Sequence, residues 1–171
     1  MSEPSTKQAV LTGGCQCGAV RYALYAEPTG TSVCHCRTCQ KAVGNYFAAF
    51  TGVKVDEFEW TRGTPAVFRG SQAAERGFCR DCGTPLFYRM VDTKRISVSV
   101  GSLDRPERVK AEKQYGTEAV LADFARLHTL PGETTDDWLP AGSKRKFASR
   151  QHPDHDTPEG WMPASREGRS R

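Results

Sequence analysis

Seven cysteines gathered into three short loops constrain this chain more than any other feature. They lie in GGCQCG (13–18), CHCRTC (34–39) and FCRDCG (78–83). Cys79-x-x-Cys82 followed by Gly83 has the spacing of a metal knuckle, in which a tight loop turns its amides toward two thiolates and glycine removes Cβ crowding. Two thiolates make half of a tetrahedral site. Cys15 and Cys17 supply the other half, because their Cys-x-Cys loop also carries glycines on both flanks. Such a pairing ties two loops more than 60 residues apart and makes metal binding part of folding. A thioredoxin-like redox pair at Cys79 and Cys82 is the competing reading, but such a pair opens a helix, and here Gly83, Thr84 and Pro85 lead into a strand-like run.

Cys34, Cys36 and Cys39 remain. Closed structural zinc sites use four protein ligands, whereas a reactive site keeps a position free. Three thiolates therefore suit a second zinc whose open position takes an exogenous thiol as thiolate. Two other readings stay open: His35 as fourth ligand, or a free or redox-active trio. Zinc rather than iron follows from ligand type.

The location of the protein bears on the same question. MSEPSTKQ at the start has neither a basic nor an apolar run, so no secretory signal is expected, and no apolar run approaches the length of a membrane span. A cytoplasmic protein without membrane contact is expected, in which clustered cysteines serve metals rather than bridges. An odd number of cysteines also resists complete pairing. The formal charge of +4 falls to +1 when seven thiolates surround two divalent cations. Basic residues interleaved with aromatics are missing, so specific nucleic-acid binding is not expected. The basic run GSKRKF (142–147) reads as a solvated tail segment. No feature fixes an oligomeric state.

Short strands suit the folded part. AVRYALY (19–25) alternates Val20, Tyr22 and Leu24 against Arg21. YFAAF (46–50) is of strand length, and VKVDEFEW (53–60) alternates with a slip after Val55. PLFYRM (85–90) and RISVSV (95–100) flank DTKR, a hairpin connection. In TEAVLADFARL (117–127), Val120, Leu121, Phe124 and Leu127 follow a 3.6-residue period, which predicts a short helix near 118–127 against one sheet face. The organisation expected is a flexible N-terminus over 1–9, a zinc-binding domain over 10–131 and a polar, largely flexible tail over 132–171, where WMP (161–163) offers too little apolar area to order it.

Taken together, GGCQCGAVRY, CHCRTCQKAVG, ERGFCRDCGTPL and VGSLDRPE (100–107) resemble the family of glutathione-dependent formaldehyde-activating enzyme and centromere protein V, from about Gly13 to Pro106. The resemblance implies a mainly β fold of the Mss4-like (β-tent) kind, with antiparallel sheets clipped by zinc. It implies a structural zinc on Cys15, Cys17, Cys79 and Cys82, and a labile or catalytic zinc on Cys34, Cys36 and Cys39. Its chemistry is that of a carbon–sulfur lyase: a small thiol, glutathione, and an aldehyde combine to S-hydroxymethylglutathione, or the adduct is cleaved. One departure stands out. Family members often carry a Pro-Trp stretch after the segment matching VGSLDRPE, and EKQYGTEAVLADFARLHTLPG (112–132) has no Trp, so the fold carries over more safely than the substrate.

Candidate substrate contacts beside the loops are Arg37, Lys41, Arg76 and Arg80, each with an ordinary surface role as the alternative. Gly44 and Asn45 follow the second loop, Asn45 with local turn capping as its alternative. Tyr46 and Phe47 read as strand core, and His128 and His152 as non-metal residues. Two further functions stay in view: a non-catalytic structural zinc module that binds a protein partner, and a thiol-dependent enzyme acting on another electrophile.

Overall fold

A computed structural model describes residues 7–144 and 146–161. The described chain is mainly β. Strands β1 (Leu11–Gly14), β2 (Arg21–Leu24) and β5 (Phe58–Arg62) form an antiparallel sheet in the order β1-β2-β5. The larger sheet contains β3 (Thr29–Cys34), β4 (Ala48–Lys54), β6 (Ala66–Phe68), β7 (Ala74–Phe78), β8 (Pro85–Met90), β9 (Arg95–Ser99) and β10 (Lys113–Tyr115). Its order is β10-β3-β4-β9-β8-β7-β6, antiparallel except for the parallel β10–β3 pair at one edge. Two short α-helices, α1 (Arg37–Val43) and α2 (Thr135–Trp138), complete the regular structure with several 3-10 turns.

The alternation in the sequence explains most of this. β8 and β9 form the hairpin expected across DTKR. The slip after Val55 marks a change of sheet: β4 ends at Lys54, a 3-10 turn spans Val55–Glu57, and β5 begins the smaller sheet. Tyr46 and Phe47, expected in a strand, precede β4 in an irregular turn. Tyr22, Leu24, Leu86, Val98, Val53, Ile96 and Leu103 pack between the sheets. A dozen such side chains, each worth about 1.5–3 kcal/mol on burial, provide the main driving force. β2 is covered on both faces, so Arg21 is buried despite its charge, held by Asp104 at 2.8 Å and Asp156 at 2.7 Å. Unpaired, a guanidinium there would be prohibitively costly.

The helix expected near 118–127 is not one continuous α-helix. Thr117–Ala119 and Phe124–Thr129 are separate 3-10 turns, and Val120 and Leu121 stay exposed. The reason is local. The Ala119 carbonyl, which an α-helix would use four residues on, accepts a hydrogen bond from Gln40 Nε2 at 2.9 Å. Phe124 is drawn toward His35 and Phe47 instead of a sheet face.

The polar segment beyond Pro131 is not peripheral throughout. Residues 151–158 lie along the smaller sheet: the His152 amide donates to the Gln16 carbonyl at 2.8 Å, and the Arg62 guanidinium reaches the Thr157 hydroxyl at 3.2 Å. Of WMP, only Trp161 is among the described residues, edge-on to the His152 ring at 4.7 Å. Arg145 of the basic run lies outside them.

Candidate metal centres

The first cluster is built from two loops. Cys15 follows β1, and its amide donates to the Val20 carbonyl at 2.9 Å, closing a tight loop through Gly18 at φ 75°. Cys79 follows β7, and its amide donates to the Thr84 carbonyl at 2.9 Å, with Gly83 at φ 77° completing the matching turn. Only glycine adopts these left-handed conformations without steric cost. Thr84 couples the loops. Its hydroxyl oxygen accepts the Gln16 amide at 3.0 Å and lies 3.1 Å from Cys82 Sγ.

These turns bring Cys15, Cys17, Cys79 and Cys82 together, with ligand atoms within 4.8 Å of one another. Cys15 and Cys79 belong to the principal core, at 2% and 1% exposure.

The second cluster sits at the junction of β3 and α1. Cys34 ends β3, Cys36 caps α1 with its sulfur accepting the Cys39 amide at 3.4 Å, and Cys39 lies in the first turn. Gly44 stops α1 at φ 63°. The three sulfurs again lie within 4.8 Å of one another, and among the described residues no fourth His, Cys, Asp or Glu joins them. This cluster adjoins a small core of Ala48 and Phe50, with Val43 and Tyr88 against it.

Both clusters fit a tetrahedral thiophilic cation. A tetrahedron of sulfurs about 2.3 Å from zinc has edges of about 3.8 Å. The sulfurs stand 3.5 Å apart for Cys15–Cys17, 3.7 Å for Cys17–Cys79 and 3.5 Å for Cys34–Cys36. All seven cysteines are free of disulfides. Electrostatics agree with the donor sets. Burial, reinforced by neighbouring sulfurs, raises Cys34 to about 12 and Cys79 to about 11, and raises Cys17 further. At Cys82 burial opposes the thiolate, but the Thr84 hydroxyl and amide and the Cys17 amide outweigh it and bring the thiol down to about 6. At Cys36 burial is likewise outweighed, by the Cys39 amide, the neighbouring sulfurs and the Thr38 amide, and its pKa falls. In each cluster one thiol is thus lowered while burial raises a neighbouring one. A divalent cation is what lets the raised thiols of Cys17, Cys34 and Cys79 ionise.

His35 is not part of the second cluster. Its side chain is fully buried, with Nε2 2.9 Å from Gln114 Oε1 and the ring against Phe47 and Phe124. His128 is exposed, and His152, though buried against the Cys15–Gly18 loop, is in neither group of ligand atoms. The four arginine and lysine candidates separate. Arg37, Lys41 and Arg76 line one groove beside α1. Arg80 is exposed and outside it. Asn45 Oδ1 accepts the Tyr46 amide at 2.7 Å, the turn-capping role. It also borders a cavity of about 260 Å3 with Phe47. Gln40 escaped sequence reasoning. Buried in α1, its side-chain amide donates to the carbonyls of His35 and Ala119, fixing the second loop from inside. Glutamine at a helical position carries no signal of its own, so only the fold reveals it.

Fold and site together define a mainly β protein with two cysteine clusters, one of four ligands and one of three, each able to hold a metal ion. The chain belongs to the glutathione-dependent formaldehyde-activating enzyme family, whose profile matches residues 10–118. An uncharacterized lyase of Schizosaccharomyces pombe is 30% identical over 82 residues, which is 48% of this chain and 59% of that protein. The crystal structure of a Rhodobacter sphaeroides protein aligns at 23% identity with a TM-score of 0.48, covering 61% of this chain and 98% of that one.

Proposed function

We propose that the protein is a zinc-dependent carbon–sulfur lyase-like enzyme that makes or cleaves the adduct of a small thiol and an aldehyde, with S-hydroxymethylglutathione as the reference substrate. The observation carrying this reading is the three-cysteine cluster, which offers a tetrahedral metal three sulfurs and leaves one position to an incoming ligand. Membership of the family, and the lyase name of the fission-yeast relative, support the reaction class.

In the forward direction the thiol sulfur forms a bond to the carbonyl carbon, and the proton lost by the thiol ends on the carbonyl oxygen. Cys34, Cys36 and Cys39 would hold the zinc, which would supply affinity for a thiolate at neutral pH. The chain supplies the rest. β3 and the capped first turn of α1 fix the three sulfurs, Gln40 locks their loop, and the buried four-cysteine cluster holds the sheets on which that loop is mounted. Positioning of two small reactants accounts for the rate gain. We assign Cys34, Cys36 and Cys39 to the reactive site, and Cys15, Cys17, Cys79 and Cys82 to the structural one, in a cytoplasmic protein.

Exchange NMR of glutathione and formaldehyde tests this, because it reads adduct formation and breakdown directly. The zinc-loaded protein should raise the exchange rate at least tenfold above the spontaneous rate, and Cys34→Ser should remove the gain. A rate equal to the spontaneous one would sink the enzymatic reading in favour of a non-catalytic zinc module.

A further inference from the structure

A groove of about 580 Å3 runs between α1 and the β6–β7 edge of the larger sheet. β7 puts Arg76 and Phe78 on one face by its period of two, while Glu75 and Gly77 turn to the buried face. β6 pairs with β7 so that Phe68 stands opposite Arg76. From the other side α1 contributes Arg37, Lys41 and Ala42. The described lining residues therefore include three cations and two aromatic rings, and none is acidic. The nearest acid on β7, Glu75, is committed to Arg89 at 2.9 Å on the opposite face.

Arg76 joins this groove to the three-cysteine cluster. Its Nη2 donates to Cys39 Sγ at 3.3 Å, and its guanidinium lies 4.9 Å above the centre of the Tyr88 ring. Five donors belong to an arginine, so donors remain for a ligand after the sulfur contact. Arg37 is directed by its Nη1 donating to Gln40 Oε1 at 2.6 Å. Phe68 is 63% exposed and Phe78 38% exposed, apolar surface that a monomer gains by covering.

We propose that this groove binds the body of the thiol conjugate, and that it selects conjugates carrying both carboxylates and a sizeable apolar substituent over the one-carbon adduct. The ligand class rests on the thiol–aldehyde reading above. Arg37, Lys41 and Arg76 pair with the carboxylates. Phe68 and Phe78 cover the substituent contributed by the aldehyde. A one-carbon group cannot reach or cover two phenyl rings, whereas an aromatic or branched aliphatic group can, and burying such a group is worth about tenfold in affinity or more. Arg76 is a direct ligand contact here, and its Nη2 contact with Sγ ties the ligand to Cys39.

Calorimetry with S-blocked conjugates isolates the groove, since S-methylglutathione and S-benzylglutathione have no thiol for a metal to capture. The zinc-loaded protein should bind the benzyl conjugate about tenfold more tightly than the methyl one. Phe68→Ser, at an exposed position, should weaken the benzyl conjugate far more than the methyl one and so erase that difference. Arg37→Gln combined with Lys41→Gln should weaken both conjugates about tenfold at low salt, and by less at high salt. Equal affinities, a difference that survives Phe68→Ser, or no binding at millimolar concentration would each overturn the proposal. Exchange catalysis without conjugate binding removes the groove and leaves the reaction. Conjugate binding without catalysis removes the reaction and leaves the groove.

Discussion

The two cysteine clusters use the same ligand chemistry in opposite surroundings. The four-cysteine cluster is continuous with the principal core, between loops pinned by the Cys15, Gln16, Gly18, Cys79 and Gly83 amides and by the Thr84 hydroxyl. The three-cysteine cluster sits where β3 ends and a seven-residue helix begins, beside a smaller core and an open, cationic groove. Ligand count and burial change together. A closed ligand set inside a core stabilises folding, whereas an incomplete set beside a groove leaves room for a substrate.

The largest expected contrast comes from breaking each cluster in turn. Cys79→Ser removes a ligand from the core and should abolish cooperative unfolding and near-UV circular dichroism. Cys36→Ser should leave a folded protein whose Tm falls by no more than about 4 °C, a loss of roughly 1 kcal/mol. Similar behaviour of the two variants would erase the distinction.

Next in size is the buried ion pair beside the first cluster. Asp104→Ala leaves the Arg21 guanidinium, 3% exposed, with Asp156 alone, and should cost about 3 kcal/mol in denaturant unfolding. Thr84→Val removes the hydroxyl that accepts the Gln16 amide and supports the Cys82 thiolate. It should cost about 1 kcal/mol and speed metal loss from the four-cysteine cluster about tenfold, without affecting the other. Competition with a chromophoric chelator would follow both metals.

The smallest effect concerns the returning segment. Burial, with Arg21 and Arg62 nearby, holds His152 below its usual pKa of 6.5, against the raising effects of the Pro153 carbonyl and Asp104. A depressed histidine means that the undocked segment takes up the proton first. Docking therefore keeps its full strength above about pH 6.5 and weakens as pH falls toward the folded pKa. Tryptophan emission should report this between pH 7 and 5 through Trp161, and His152→Gln should lose the pH dependence.

The features legible in the sequence were those carried by spacing. Cysteine intervals separated a group of four cysteines from a group of three, as the fold gathers them, and short apolar runs located β2, β8 and β9. What stayed hidden depends on contacts between distant residues. α1 starts inside CHCRTC because Cys36 acts as its N-cap, a role seldom read from a cysteine. The periodic TEAVLADFARL yields 3-10 turns because Gln40, far away in sequence, holds the Ala119 carbonyl. Residues 151–158 look like a solvated tail, yet Arg21 and Arg62 give Asp156 and Thr157 partners, and Gly18 leaves the space that the His152 ring fills. Arg76 stood among several basic candidates, and only the register of β6 with β7 sets it between Cys39 and the groove.

Zinc per chain, measured by elemental analysis before and after dialysis against excess glutathione, tests the contrast between the clusters most directly. Two zincs falling to one, with Cys15, Cys17, Cys79 and Cys82 still protected from alkylation and Cys34, Cys36 and Cys39 newly reactive, is the predicted result. Two zincs that both stay, or loss from the four-cysteine cluster first, would contradict it.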